Sequence, residues 1–203
     1  MKTKPSYSQH GEDVFMLTRL PEAPARFVVD VGANDGYSWS NSFMFGLQGF
    51  ALLLVEPMPE YADRCRALYS ARADVHVEEL AITANVGSTS FHVNLDAETD
   101  LLAMRSSVIR EIIPSDKLQA ITVPTAPLSL LLEKHGVPQN YALLTVDAEG
   151  MDLEVLRTAR LDVFRPHFIC VEEESFGDAI ANFLAEWGYR RIQTLGPNGI
   201  YTT

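Results

Sequence analysis

The stretch Phe27-Val28-Val29-Asp30-Val31-Gly32-Ala33-Asn34-Asp35-Gly36 decides the fold. Apolar residues surround a single carboxylate, and a glycine-bearing turn follows. A short apolar run bounded by turn formers fits a strand buried on both faces, as in a parallel sheet. Gly32 and Gly36 read as a tight turn that lets backbone approach a ligand. The N–H groups that open the next helix would point into the same space, the usual ligand crevice at the carboxyl end of a strand. The spacing lacks the third glycine of a dinucleotide fingerprint, and no Gly-Lys-Ser/Thr follows as in a phosphate-binding loop. Carboxylates and an amide without a cation suit a ligand with a positive centre and hydroxyls. The plain alternative is a buried strand and turn of any α/β protein.

Working outward, the same pattern recurs. Ala51 to Val55 is a second buried run that ends in Glu56 and Pro57. Glu56 lies 20 residues after Gly36, where a doubly wound sheet places an acid on two ribose hydroxyls. A solvated strand-end glutamate is the simpler alternative. Asp74 to Ile82 reads as a third strand with Glu78 and Glu79 near its end. Tyr141 to Asp147 is a fourth and His167 to Glu172 a fifth, followed by Glu173 and Glu174. Helical spacing predicts helices over 8–20, capped by Ser8, and over 37–47, 59–70, 128–135, 151–159 and 176–187. Ser88 to Val93 reads as an edge strand. Residues 189–195 and 199–203 flank Gly196-Pro197-Asn198 as a closing antiparallel hairpin. Strand–helix alternation makes an α/β, doubly wound, mostly parallel sheet. Residues 94–120 show no clean period, and so long an irregular insertion reads as a lid over the acceptor.

The bulk composition sets limits. The 203 residues suffice for one domain, 1–203, with residues 8–26 as an N-terminal helix and cap. Net charge is −11 without a Lys/Arg cluster, which argues against nucleic acid and anionic membrane partners. Cys65 and Cys170 read as small buried hydrophobes. No apolar run is long enough to span a bilayer or follows the basic start as a secretion signal would, so a cytoplasmic protein is expected. The sequence is compatible with a homo-oligomer.

Ser8-Gln9-His10-Gly11-Glu12-Asp13, Val29 to Gly36, Val55-Glu56-Pro57 and Asp147-Ala148-Glu149-Gly150-Met151 together resemble the FkbM family of S-adenosylmethionine-dependent methyltransferases. The resemblance implies a class I methyltransferase (Rossmann-like) fold, a seven-stranded sheet with an antiparallel strand in its C-terminal hairpin. It implies S-adenosyl-L-methionine as cofactor and transfer to a hydroxyl of a sugar, polyketide or other natural-product or polysaccharide acceptor. Carried over by motif, Asp30, Gly32, Asn34 and Gly36 would surround the methionine portion, Glu56 with Pro57 the ribose, and Glu79 to Ala81 the adenine. Asp147 and Glu149 would face the sulfonium and the acceptor, with Ser8, Gln9 and Glu12 folding over the cofactor. Three places depart from the family: His10 stands for an aromatic residue, Thr145 for a lysine, and Thr125 to Ser129 for a Thr-Leu-Asp.

A neutral hydroxyl must lose a proton as its new bond forms, which calls for a base. Asp147, Glu149 and Glu172 are the strand-end choices and His10 the one with the best intrinsic pKa. A divalent metal on Asp147, Glu172 and Glu173 is a variant of the same chemistry. A catalytically silent S-adenosylmethionine-binding module and a nicotinamide-dependent oxidoreductase are the rival functions.

Overall fold

The computed structural model describes residues 6–22, 24–94 and 118–203. The chain runs α1 (Glu12–Leu17), β1 (Ala25–Val31), α2 (Phe43–Leu47), β2 (Ala51–Val55), α3 (Pro59–Leu68), β3 (Val75–Glu78), β4 (Ala81–Ile82), β5 (Gly87–Asn94), β6 (Leu118–Ala126), α4 (Leu128–Lys134), β7 (Tyr141–Val146), α5 (Asp152–Thr158), β8 (Phe168–Glu172), α6 (Ala179–Glu186), β9 (Arg190–Leu195) and β10 (Asn198–Thr202).

Seven strands form one sheet in the order β3-β2-β1-β7-β8-β10-β9. The pairs β2–β3, β1–β2, β1–β7 and β7–β8 are parallel, and β10 runs antiparallel to both of its neighbours. This is the class I methyltransferase arrangement. The order reverses at β1, so the crevice above the β1 and β7 ends is the expected ligand site.

The alternation of side chains explains both core layers. Val29, Val31, Leu53, Val55, Leu144 and Val146 face α4, α5 and α6, which contribute Leu128, Leu132, Val155, Leu156, Ile180 and Leu184. Val28, Leu52, Leu54, Leu143 and Cys170 face the other way, against Met16, Phe43, Phe45 and Cys65. Covered on both sides, the central strands need no polar face, which is why their sequence runs apolar rather than alternating. Both cysteines are buried and free.

Several expectations change in detail. Residues 37–42 form an irregular loop of bends around a turn at 38–39, and α2 starts only at Phe43 with its first four residues buried rather than amphipathic. The third strand is two: β3 joins the main sheet, while β4 joins a separate three-stranded sheet in the order β4-β6-β5. β5 is an edge strand, but it pairs antiparallel with β6. β6 falls partly in the stretch read as irregular, and Pro124 within it masked the signal. The last helix starts at Ala179, not Phe176. Ser8 does not occupy the α1 cap, which is Gly11. Its hydroxyl instead accepts the Asp13 N–H at 3.2 Å. Most of the lid proposed for 94–120 lies outside the described residues.

Candidate functional site

A cavity of about 800 Å³ opens over the carboxyl ends of β1, β2, β7 and β8. Asp30, Glu56, Asp147 and Glu172 all line it, so four strand ends do converge on one rim. Glu149 and Glu174 also reach it, and no Lys, Arg or His does among the described residues.

Gly32 joins the two central strand ends. Its φ is +86°, and a Cβ there would lie 1.9 Å from the Asp147 carbonyl oxygen. The glycine therefore admits the neighbouring strand's backbone, and the close approach is to protein. Gly36 turns away from the cavity and packs on α3, where a Cβ would meet Cys65 Sγ at 3.1 Å. Asn34 lines the cavity with φ +50°, a conformation asparagine tolerates. Glu149 and Trp39, also at the cavity, have φ +47° and +53°. Such backbone costs on the order of 1–3 kcal/mol per residue and concentrates at functional sites.

The Glu56 carboxylate is held by backbone. Oε2 accepts the Asn34 N–H and Oε1 the Met58 N–H, both at 2.9 Å. A carboxylate offers about four lone-pair sites, so each oxygen keeps capacity for another donor. Burial pushes the Glu56 pKa up to about 7 against the pull of those two N–H groups. Asp30 accepts the Ser42 hydroxyl at 2.5 Å, and burial raises its pKa to about 6. Beside it, Asn41 Nδ2 donates to Thr145 Oγ1 at 3.2 Å.

Asp147 is open to the cavity solvent yet sits deep among protein atoms. Loss of bulk water first, then the charges of Glu172, Glu149, Asp152 and Asp30, push its carboxyl well above the usual range. The loop that carries it is shaped by Asp152, which accepts the Ala148 N–H at 2.9 Å and the Gly150 N–H at 3.1 Å. Asp152 is itself fully buried, which raises its own pKa.

The remaining expected residues divide. Gln9, Pro57 and Ala81 line the cavity. Glu12 does not: it is fully buried, Oε2 accepting the His10 N–H and Oε1 the Asn198 amide, both at 2.8 Å. His10 sits with its ring against Gly196 and is not among the residues that line the cavity. Glu79 pairs with Arg66 at 2.9 Å on the outer surface. Glu173 is bound by Arg191 and the Tyr201 hydroxyl and does not line the cavity with Asp147 and Glu172. Among the described residues no group of three or more His, Cys, Asp and Glu is arranged to hold a metal ion. Asp152, Ser42, Asn41 and Trp39 were not singled out from the sequence. Asp152 had a usable signal, an acid two and four residues after the backbone groups it binds.

Residues 30–191 match the methyltransferase FkbM domain. The chain belongs to the FkbM methyltransferase family. It is therefore a methyltransferase, and S-adenosylmethionine is the implied cofactor. A Klebsiella pneumoniae protein assigned as an O-methyltransferase, 15% identical, superposes with a TM-score of 0.50 over 100% of this chain and 81% of that one. A chain of the fibrillarin/Nop5p complex, 12% identical, gives 0.50 over 96% and 80%. The precorrin-6Y C5,15-methyltransferase of Geobacter metallireducens, 14% identical, gives 0.49 over 98% and 91%. The first two support the fold of this FkbM chain alone. No curated protein matches the sequence significantly. Among the described residues no helix is long and apolar enough to cross a membrane.

The donor set of the FkbM cavity fits the implied cofactor. Glu56 at the β2 end offers paired acceptors for vicinal hydroxyls. Leu80, Ala81, Ile82 and Phe91 give an apolar wall beyond it, and the acids of β1 and β7 face a region where a cation is favoured.

Proposed function

We propose that this protein methylates a hydroxyl oxygen on a sugar, polyketide or related natural-product or polysaccharide acceptor. The observation that carries the reading is the cavity lined from four strand ends by carboxylates, with Glu56 fixed by two backbone N–H groups.

When bound, the cofactor supplies an activated methyl on a sulfonium, displaced in line. The residues at the cavity have three tasks. Glu56 would accept the ribose hydroxyls, and Asp30, Gly32 and Asn34 would border the amino-acid end. Asp147, Glu149 and Glu172 would favour the positive charge by Coulomb attraction in a partly dry site. Asp147 Oδ would take the acceptor hydroxyl's proton. A carboxylate whose pKa is raised by desolvation and neighbouring acids is a stronger base than a free one, which favours proton transfer from the acceptor hydroxyl. Glu149, two residues on and also at the cavity, is the alternative proton acceptor.

Isothermal titration calorimetry with S-adenosylmethionine, its demethylated product S-adenosylhomocysteine, and NAD tests the reading. Heat with the first two and none with NAD is expected. Saturation by NAD alone overturns the proposal. Labelled-methyl transfer to hydroxylated acceptors then separates an enzyme from a silent binding module.

A further inference from the structure

Two exposed aromatic residues stand on the loop between β1 and α2. Tyr37 is 50% exposed, but its ring has partners: Tyr7 at 5.8 Å and Phe43 at 5.0 Å between centroids. It fastens the N-terminal segment to the loop. Trp39 has no such explanation. It is 41% exposed, lines the cavity, and takes part in none of the aromatic pairs among the described residues. Its φ of +53° lies in a region that bulky residues avoid.

The loop is braced so that this conformation persists. On one side Asp35 accepts the Tyr37 N–H at 2.9 Å, the Ser38 N–H at 2.7 Å and the Ser38 hydroxyl at 2.8 Å. On the other, Ser40 Oγ accepts the N–H groups of Ser42 and Phe43. The Asn41–Thr145 bond pins the loop to β7, on the far side of β1 from β2, the strand that Glu56 follows. The loop that carries Trp39 into the cavity lining is thus fastened to β7 through Asn41 and to Asp30 of β1 through Ser42. The ionisable lining groups at the β7 and β8 ends are Asp147, Glu149, Glu172 and Glu174, all acids.

We infer that Trp39 is the platform on which the methyl acceptor stacks, and that this acceptor is a hydroxylated ring without negative charge: a neutral pyranoside or its amino derivative. An indole offers a large rigid apolar surface at low entropic cost, which matches the C–H face of a pyranose. An ammonium group would gain from both the indole and the acids. A phosphate or uronate would meet like charges in a site of reduced dielectric. This assignment rests on the methyltransferase reading of the cavity, which places the adenosine on the Glu56 side.

Saturation-transfer difference NMR on the S-adenosylhomocysteine-loaded protein tests it, with methyl glucoside, methyl glucosaminide and methyl glucuronide as probes. The first two should receive saturation unevenly over the ring, and glucuronide about fivefold less. Trp39→Gly suits the positive φ and should fold at least as stably as the native chain, checked by its melting temperature. Its glucoside signal should fall about fivefold, and Trp39→Phe should restore most of it. If glycine loosens the loop, Trp39→Asn, which also tolerates this backbone, must show the same loss. Equal signals with and without Trp39, a glucuronide signal as strong as glucoside, or no signal from any probe overturns the assignment. Binding of S-adenosylhomocysteine itself, measured separately, scores the cofactor reading. If it fails, the probes are applied to the unloaded chain, and the two results stand apart.

Discussion

The Glu12 carboxylate accepts a hydrogen bond from the Asn198 side-chain amide at 2.8 Å, across 186 positions of sequence. Glu12 is fully buried and Asn198 nearly so. The bond ties α1 to the start of β10, and Asn198 also lines the cavity with Gln9. Asn198→Ala should cost about 1.5–3 kcal/mol, since a buried charge loses one of its donors. Urea unfolding would register this as a lower midpoint at constant slope. An unshifted midpoint would mean that the contact is energetically idle.

Glu56→Ala should weaken S-adenosylhomocysteine binding by roughly 1–3 kcal/mol, as expected for hydrogen bonds to a charged group. Because the Glu56 pKa stands at about 7, native affinity should also climb as pH rises through that value and the carboxylate ionises. Calorimetry at several pH values reads both effects. A flat profile together with unchanged variant affinity would remove Glu56 from the ribose.

Asp30→Asn should stabilise the free protein above pH 6. The folded pKa of Asp30, about 6, exceeds its ordinary 3.8. The native state therefore keeps a proton that the unfolded chain has released, and native stability declines as pH rises between those values. Asparagine keeps an oxygen for Ser42 and carries no charge. At pH 8 the gain should be about 3 kcal/mol, with each kcal/mol worth roughly 2–4 °C in melting temperature. The gain should vanish near pH 4. A variant that melts lower at pH 8 would show that burial of this acid is compensated in a way the geometry does not reveal.

Asp147→Asn should retain cofactor affinity within a few fold and lower methyl transfer by about 100-fold, the usual weight of a general base. Single-turnover rates with labelled methyl measure it. Full activity would hand the role to Glu149.

Gly32→Ala should be among the most damaging single changes. The added methyl would stand 1.9 Å from the Asp147 carbonyl oxygen on a backbone with φ +86°. Separation of the β1 and β7 ends or outright unfolding is expected, at a cost of about 4 kcal/mol or more. A soluble variant with native melting temperature would mean that the strand ends can part without penalty.

Much of this fold was legible because its central strands are buried on both faces. Runs such as Leu52-Leu53-Leu54 and Ala142-Leu143-Leu144 have one reading in an α/β chain, and the acids that stop them mark the rim. What escaped prediction depends on contacts distant in sequence. Gly32 looked like a ligand-binding glycine, but its neighbour is Asp147, visible only once β1 and β7 are side by side. Glu12 and Glu173 carry the residue type of a site, yet their partners Asn198, Arg191 and Tyr201 lie on the closing hairpin. An acid in a motif announces a buried charge without saying whether protein or ligand answers it. Trp39 gave no periodic signal, since its importance lies in a single backbone angle and an exposed surface.

The reversed strand β10 has a consequence for how the molecule is made. It inserts between β8 and β9, both of which leave the ribosome before it. Until residues 198–202 emerge, the apolar β8 segment Phe168 to Val171 has an unzipped flank, a template for mispairing with other nascent chains. The interval between synthesis of Phe168–Glu172 and of Asn198–Thr202, and chaperone attendance during it, should therefore bear on the yield of native protein.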